Sequence, residues 1–363
     1  MVRIKTFIDE PQIGAVPAPN KPLEATIFVA ASDARKEVKD LADFVCTGSN
    51  DQDIIAQAIN SLPPAGGKVK LSEGTFVFNN TLKILRSNVT LEGCGAGTKI
   101  FLANGANAHV ITVGNGSTAL SNIKICNLLI DGNRANQTVR SNGIYFNGGS
   151  GFLITNSVIE NCWITNCYGS GIYINYGNNN SVIGNVCQSN GEYGICLDNS
   201  QYNIVAENQV LSNTMEGIYV YSMSERNIIK GNVISSNNGN GIWIDSSSLQ
   251  VISGNFIYGN QGVAIIASYS NHLVITSNNI LENGKAGENL APGAADIWIG
   301  SSTYCTVSNN ICFIPTTGPG PDYGIRESDT SDYNMVSGNI VGGYKIKISL
   351  IGTNSKISGN IEV

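Results

Sequence analysis

A five-residue phrase recurs along this chain, and it restricts the fold more than any other feature. It reads Gly143-Ile144-Tyr145-Phe146-Asn147, Gly171-Ile172-Tyr173-Ile174-Asn175 and Gly194-Ile195-Cys196-Leu197-Asp198. It continues as Gly217-Ile218-Tyr219-Val220-Tyr221, Gly241-Ile242-Trp243-Ile244-Asp245 and Gly262-Val263-Ala264-Ile265-Ile266. From Gly171 to Gly262 the phrases start 23, 23, 24 and 21 residues apart. A fixed period in this range marks a solenoid, in which each repeat is one coil and equivalent residues stack in columns. The second and fourth residues of each phrase are apolar and the others vary. That period of two belongs to a strand with one buried face.

A second series runs in register with the first. Asn161, Asn185, Asn208, Asn232, Asn255 and Asn278 are spaced 24, 23, 24, 23 and 23. Another asparagine follows each by five residues: Asn166, Asn190, Asn213, Asn237, Asn260 and Asn283. Asparagine tolerates left-handed backbone, and its amide bonds to the same amide in a stack. These columns are expected to mark corners and to bond coil to coil, not to touch substrate. The series resumes at Asn309, Asn339 and Asn360, so the solenoid is expected to reach the C-terminus. Two longer gaps imply loops inserted near Lys285–Pro292 and Ile314–Asp322.

Only 13% of residues are charged and 41 are glycine, a balance normal for a β-rich repeat protein full of turns. A chain of 363 residues would ordinarily divide into two domains, but a solenoid grows in one direction and escapes that rule. Net charge is −6 with no Lys/Arg run, which argues against a nucleic-acid partner. No run of about 18 apolar residues occurs, so no membrane insertion is expected. The opening Met1–Ile8 lacks the long apolar core and cleavage site of a secretory signal. Nine cysteines, an odd number without a CxxC pair, sit mostly among apolar strand residues and fit a chain that folds in a reducing cytoplasm. With only His109 and His272, far apart, neither a His-based triad nor a His-rich metal site is expected, and no cofactor or metal is assigned.

Residues 1–25 carry Pro11, Pro17, Pro19 and Pro22 and read as an arm or linker. Residues 26–66 read as a cap region. It holds a short strand in Ala25–Ala30, a mixed and partly helical stretch in Asp33–Phe44, and a helix starting at Asp51. Asn50 is its expected N-cap, acids fill the first turn, and Pro63-Pro64 stops it. A solenoid must cover the apolar end of its first coil, and this helix is the natural lid. Residues 67–363 then form the coils, roughly a dozen at about 23–30 residues each.

Several phrases in the first half resemble the pectate-lyase-like superfamily. They are Asp43-Phe44-Val45-Cys46-Thr47-Gly48, the acidic helix after it, Gly66-Gly67-Lys68-Val69, Ser72-Glu73-Gly74-Thr75-Phe76, Ser87–Gly93 and Ile130-Asp131-Gly132-Asn133. The C-terminal half matches only as generic repeats. The resemblance implies an all-β chain, a right-handed parallel β-helix with three sheets. Chains opening with this kind of cap look like bacteriophage tailspikes or related envelope-polysaccharide depolymerases, commonly homotrimers. That likeness implies a polysaccharide partner and a place on a virion tail or outside the cell.

In each phrase the third and fifth residues point outward. The third-position column reads Tyr145, Tyr173, Cys196, Tyr219, Trp243, Ala264, Trp298 and Arg326; the fifth reads Asn147, Asn175, Asp198, Tyr221, Asp245, Ile266, Gly300 and Ser328. Aromatic rings beside carboxylates suit stacking on sugars, although a contact between subunits also enriches Tyr and Trp. Tyr173, Tyr219, Tyr221, Trp243, Trp298 and Arg326 are the candidate substrate contacts. Asp198 and Asp245 share a column with one coil between them, so equivalent backbone points lie about 9.6 Å apart. Inverting glycosidases hold their carboxyls about 6.5–9.5 Å apart, retaining ones about 5–5.5 Å. The pair therefore fits an inverting hydrolase, one carboxyl protonating the leaving oxygen and the other activating water. Glu216, in the coil between, is a reserve for either, and the nearby rings would raise a neighbouring carboxyl's pKa by desolvation. Asp131 reads as a turn residue, and Glu192, Glu207 and Glu225 as solvated turn residues. Asp296 and Arg326-Glu327 could extend a groove.

Hydrolysis of a bacterial surface glycan is thus the expected activity. A non-catalytic glycan-binding or structural fibre protein is the second reading. A calcium-dependent polysaccharide lyase is the third, disfavoured because Arg326 is the one basic residue assigned to this face and no acidic triad suits Ca²⁺.

Overall fold

The apolar alternation of the phrase becomes a strand in every coil of the computed structural model, which describes residues 25–285, 293–314 and 320–363. Eleven such strands stack in parallel, from Leu82–Ile84 through Ile144–Asn147, Ile195–Asp198, Ile218–Tyr221 and Ile242–Asp245 to Ile346–Ser349. Two further strands complete each coil. After Ile218–Tyr221 come Ile228–Lys230 and Val233–Ser235, each paired in parallel with its counterpart one coil away. The long strands Val89–Leu102 and Ile123–Asp131 run through both of these faces and join them. The result is the expected right-handed parallel β-helix, the hand that parallel crossovers favour. No helix among the described residues is long and apolar enough to cross a membrane.

The core is a set of columns. Ile144, Ile172, Ile195, Ile218, Ile242, Ile265, Ile297 and Ile325 are fully buried one above another, as are Phe146, Ile174, Leu197, Val220 and Ile244. Each such side chain contributes about 1.5–3 kcal/mol by leaving water. Polar columns flank them at the corners. Asn185, Asn208, Asn232, Asn255, Asn278, Asn310, Asn339 and Asn360 form one continuous ladder, each backbone N–H donating to the next side-chain oxygen. Asn190, Asn213, Asn237, Asn260 and Asn283 form a second.

The structure shifts three members of these series by one residue. Cys162 and Cys167, not Asn161 and Asn166, stand in the ladder columns, and Asn310 replaces Asn309. The displaced asparagines occupy the preceding corner with positive φ, a conformation asparagine adopts as readily as it joins a stack. Two ladders escaped the spacing argument: Asn180–Asn203–Asn227–Gln250, and Ser200–Ser224–Ser247–Ser270–Ser302–Ser331.

The sixth phrase also slips. Ile265, Ile266, Ala267 and Ser268 pair with Ile242, Trp243, Ile244 and Asp245, so Ala264, not Gly262, occupies the glycine position. The outward columns therefore hold Ile266 and Ser268 where Ala264 and Ile266 were expected. Val263 and Ile265 are both apolar, so alternation alone could not choose between the two registers.

Helix Asp51–Asn60 packs on the strands Gly67–Leu71, Gly74–Phe78 and Leu82–Ile84 and covers the first coils, as expected. Its start differs in detail. Asn50 has left-handed φ and its side chain makes no capping bond. The buried Asp51 does not cap the helix either; it ties the preceding turn to the sheet, accepting from Thr47 N–H, Gly48 N–H and Val77 N–H at 3.1, 3.0 and 2.8 Å. Strand Thr26–Ala30 pairs with Gly67–Leu71, so residues 26–66 extend the sheet as well as covering its end. The proline-rich arm, apart from Ala25, and most of the two loop insertions lie outside the described residues.

Candidate functional site

The outward side of the eleven-stranded sheet carries the aromatic row. Tyr145 meets Tyr173 edge to face at 5.6 Å, and Tyr219 lies against Trp243 at 5.2 Å and stacks on Tyr221 at 4.7 Å and 7°. Where Cys196 interrupts the row, Tyr193 leans in and meets Tyr219 at 5.0 Å. Tyr193 escaped the phrase-based reading because it precedes the glycine. Its signal lies in that same position one and two coils on, where Glu216 and Asn240 are polar as well.

Asp198 stands at the end of its strand under three donors. Tyr173 and Tyr221 hydroxyls reach one carboxylate oxygen at 2.8 and 2.7 Å, and the Asn199 amide donates to the other at 2.8 Å. This arrangement satisfies a carboxylate, which only accepts. Asp245 is less enclosed: Tyr219 hydroxyl approaches at 3.4 Å and Ser246 hydroxyl at 3.1 Å. Tyr221 pairs with Asp198, and Tyr219 and Val220 pair with Trp243 and Ile244. Asp198 and Asp245 are therefore two rises apart in one column, about 9.6 Å between backbone points.

Glu216 does not join them. It precedes its strand, while Asp198 and Asp245 end theirs. Five residues at about 3.3 Å put up to about 16 Å between the two ends, beyond the carboxyl separation of either glycosidase class. Burial does push the Glu216 carboxyl up, against a hydrogen bond from the Asn240 amide at 3.2 Å that lowers it.

Tyr173 also differs from expectation. It is 6% exposed and Arg140 lies over its ring at 5.0 Å, so no face remains for a sugar. The structure uses Tyr173 to hold Asp198. Burial pushes the Tyr173, Tyr219 and Tyr221 hydroxyls well up, and Tyr193 to about 12. These phenols are donors, unsuited to act as bases.

Arg140 was missed, and with it half of the reason for disfavouring a lyase. Its guanidinium pairs with Glu192 at 2.6 Å, and the exposed Lys83 stands in the same column as Thr112 and Tyr145, so among the described residues Arg326 is not the one basic side chain on this face. The signal was a loop: Gly132–Asn142 takes eleven residues where the next coil uses five, Asn166–Ser170. At the far end Arg326 lies over Trp298 and Tyr323 at 5.7 and 4.8 Å, and the Trp298 indole N–H donates to Ser328.

Asp296 and Glu327 do not extend a groove; both are fully buried. Glu327 accepts from Asn334, Ser355 and the N–H groups of Ile351 and Gly352, tying down the last coil. Burial pushes Asp296 from 3.8 up to about 7, against bonds from the Tyr344 hydroxyl at 2.6 Å and Ala264 N–H at 3.3 Å. The Cys312 thiol also lies nearby and is itself pushed well up by burial. Between these two values the folded state keeps a proton that the unfolded chain has lost. Asp296 therefore favours the fold fully below about pH 4, and that contribution is lost as pH rises to about 7. Asp296→Asn is expected to flatten this part of the profile and to exceed the native protein in stability above about pH 7. Urea midpoints at about pH 5 and 8 check it; an undiminished pH difference in the variant would remove the buried proton from Asp296.

Metal donors do not converge. Among the described residues no three His, Cys, Asp or Glu side chains group as a site. His109 accepts the Asn142 N–H at 2.9 Å and packs on Tyr145, whereas His272 stacks on Tyr304. Eight of the nine free cysteines are buried, and burial holds Cys187, Cys196 and Cys312 strongly as thiols.

Comparison places this geometry among known proteins. The family described as periplasmic copper-binding protein (NosD) matches residues 96–289, and the one described as right handed beta helix region matches 222–361. A search of curated proteins finds no match. The chain is similar in structure to the A-module of mannuronan C-5 epimerase AlgE6 of Azotobacter vinelandii, with TM-score 0.72 and 22% identity over 87% of this chain and 97% of that one. The AlgE4 A-module of the same organism gives 0.71 and 19% over 91% and 100%. The Dettilon tailspike protein gives 0.62 and 16% over 85% and 64%. At these identities the likeness concerns the fold.

Proposed function

The chain belongs to the family described as periplasmic copper-binding protein (NosD), and from that premise we propose that it is an enzyme of extracellular glycans, cutting glycosidic bonds by hydrolysis. The observation that carries this reading is the Asp198/Asp245 column, two coils apart, beside an outward aromatic row. Asp198, oriented by two tyrosines, would take a proton from water. Asp245, with the longer contact to Tyr219, would deliver one to the leaving oxygen. Tyr219, Tyr221 and Trp243 would hold sugars near the pair, and Trp298 and Arg326 further along. Release of reducing ends from bacterial surface glycans, native against Asp198→Asn/Asp245→Asn, tests it.

Of the proteins that share the fold, two are named as modules of mannuronan C-5 epimerases and one as a tailspike protein, which supports a glycan substrate. Free buried cysteines fit a protein that folds in a reducing cytoplasm and works outside it, as a virion component does. A homotrimer belongs to the same reading; light scattering that gives the mass of one 38.4 kDa chain would remove it. The lyase reading gains from Arg140, and products absorbing in the ultraviolet would favour it. The family's copper does not carry over. Copper takes soft thiolate, thioether or imidazole donors, and here the two imidazoles pack on different tyrosines apart from each other, while among the described residues no three His, Cys, Asp or Glu side chains group. No step is routed through a metal.

A further inference from the structure

Every coil turns its corners with positive φ, and most corners use residues that tolerate it. The corner ahead of the main asparagine ladder is glycine in Gly184, Gly231, Gly254, Gly338 and Gly359. The corners just past the Asp198/Asp245 column depart from this economy. Tyr269, His272, Tyr304 and Tyr333 hold φ of 52°, 58°, 57° and 57°. A bulky side chain in left-handed backbone costs stability, and such strain gathers where the side chain has a use.

These four residues are also exposed, the three tyrosines at 69%, 53% and 51%. His272 stacks on Tyr304 at 5.1 Å and 15°, and Tyr304 on Tyr333 at 5.1 Å and 16°. Their faces cover one another, leaving ring edges and hydroxyls toward solvent. Tyr269 differs: it has no ring contact among those described. It follows Ser268, the residue paired with Asp245, so it stands one coil, about 4.8 Å, beyond Ser246. Ser246 in turn bonds the Asp245 carboxylate. The coils on either side of Tyr269 place Ser246 and Ser301 at the same corner, so serine is what the backbone there accepts without a ring.

We infer that Tyr269, with the His272–Tyr304–Tyr333 stack beside it, forms a carbohydrate-binding shelf that continues the glycan track over the edge of the face next to Asp245. A free ring of Tyr269 would stack on one sugar, and the tyrosine hydroxyls of the stack would bond sugar hydroxyls beyond it. This rests on the glycan reading above and adds to it a second row of contacts, suited to a branch or to a chain crossing the strands.

Tyr269→Ser separates use from stability, because it restores what the neighbouring coils have. Binding to alginate, polygalacturonate, dextran and purified bacterial capsule and O-antigen polysaccharides would be measured for native protein and variant. Expected is about tenfold weaker binding to whichever glycan the native protein takes, with further loss when Tyr304→Ser and Tyr333→Ser are added. The unfolding midpoint of Tyr269→Ser is expected no lower than native. Native binding with an unaffected Tyr269→Ser variant overturns the shelf and leaves the hydrolase reading standing. Unchanged affinity with a lower oligomer mass in the triple variant overturns it in favour of a contact between copies. Binding of no glycan by the native protein overturns both.

Discussion

Asp198→Asn together with Asp245→Asn is expected to lower reducing-end release by at least about a thousandfold while leaving glycan affinity within about threefold. General acid and base groups are each worth about a hundredfold to ten-thousandfold, and a hydrolase deprived of both keeps only what binding and orientation supply. Asparagine is nearly the shape of aspartate, and its amide oxygen can still receive the Tyr173 and Tyr221 hydroxyls that meet at Asp198. The fold should therefore survive, which the unfolding midpoint checks. The anomer released first by the native enzyme is a second readout. Two rises of about 4.8 Å favour inversion; a retained configuration would require the carboxyls to close to about 5 Å and would place the nucleophile elsewhere. Full activity in the double variant would move the chemistry off this column. The next candidate would then be the opposite end of the strands, where Arg140 pairs with Glu192 and burial raises Glu216. Those residues stand near Tyr193, far from Asp245.

The same column shows why part of the fold and of the site is legible in the amino-acid sequence. Alternation of period two fixes which side chains leave the coil, and spacing near 23 fixes which of them stack. Asp198, Tyr221 and Asp245 needed nothing more. The period of two also places Glu327 inside, since it pairs with Ile299, yet an acid reads as a surface residue until Asn334, Ser355 and two N–H groups are seen to satisfy it. Asp296 likewise stands where other coils have glycine. Corners were less legible, because asparagine serves both the left-handed position and the ladder beside it, and spacing cannot tell Asn309 from Asn310. Arg140 and Tyr269 were out of reach for another reason. One arrives from an inserted loop and the other from a corner, and neither lies within the repeating phrase.

The second large effect concerns what holds the two carboxylates at that spacing. Asn232→Ala is expected to destabilise the protein by about 4–6 kcal/mol, in the coil that lies between Asp198 and Asp245. The Asn232 side chain is fully buried. Its oxygen accepts from Asn208 N–H at 2.9 Å and the Asn208 amide at 3.0 Å, and its amide donates to Val205 C=O at 2.9 Å and the Asn255 oxygen at 3.0 Å. Alanine removes all four bonds and leaves the Asn208 and Val205 groups buried without those partners, each at about 1–3 kcal/mol before relaxation. Asn309→Ala is the matched control. That asparagine sits one residue ahead of the ladder with φ 55°, so its loss should cost only about 1 kcal/mol of left-handed preference. Urea midpoints of the two variants compare them directly, and equal midpoints would deny the ladder its role. Because a solenoid coil touches only its neighbours, the damage should be local. Amide exchange should quicken across about residues 205–255 and stay slow beneath the cap helix. Asp245 lies within that segment and Asp198 just ahead of it, so if the proposed acid/base pair carries the reaction, hydrolysis should fall with the local opening, before the chain as a whole unfolds.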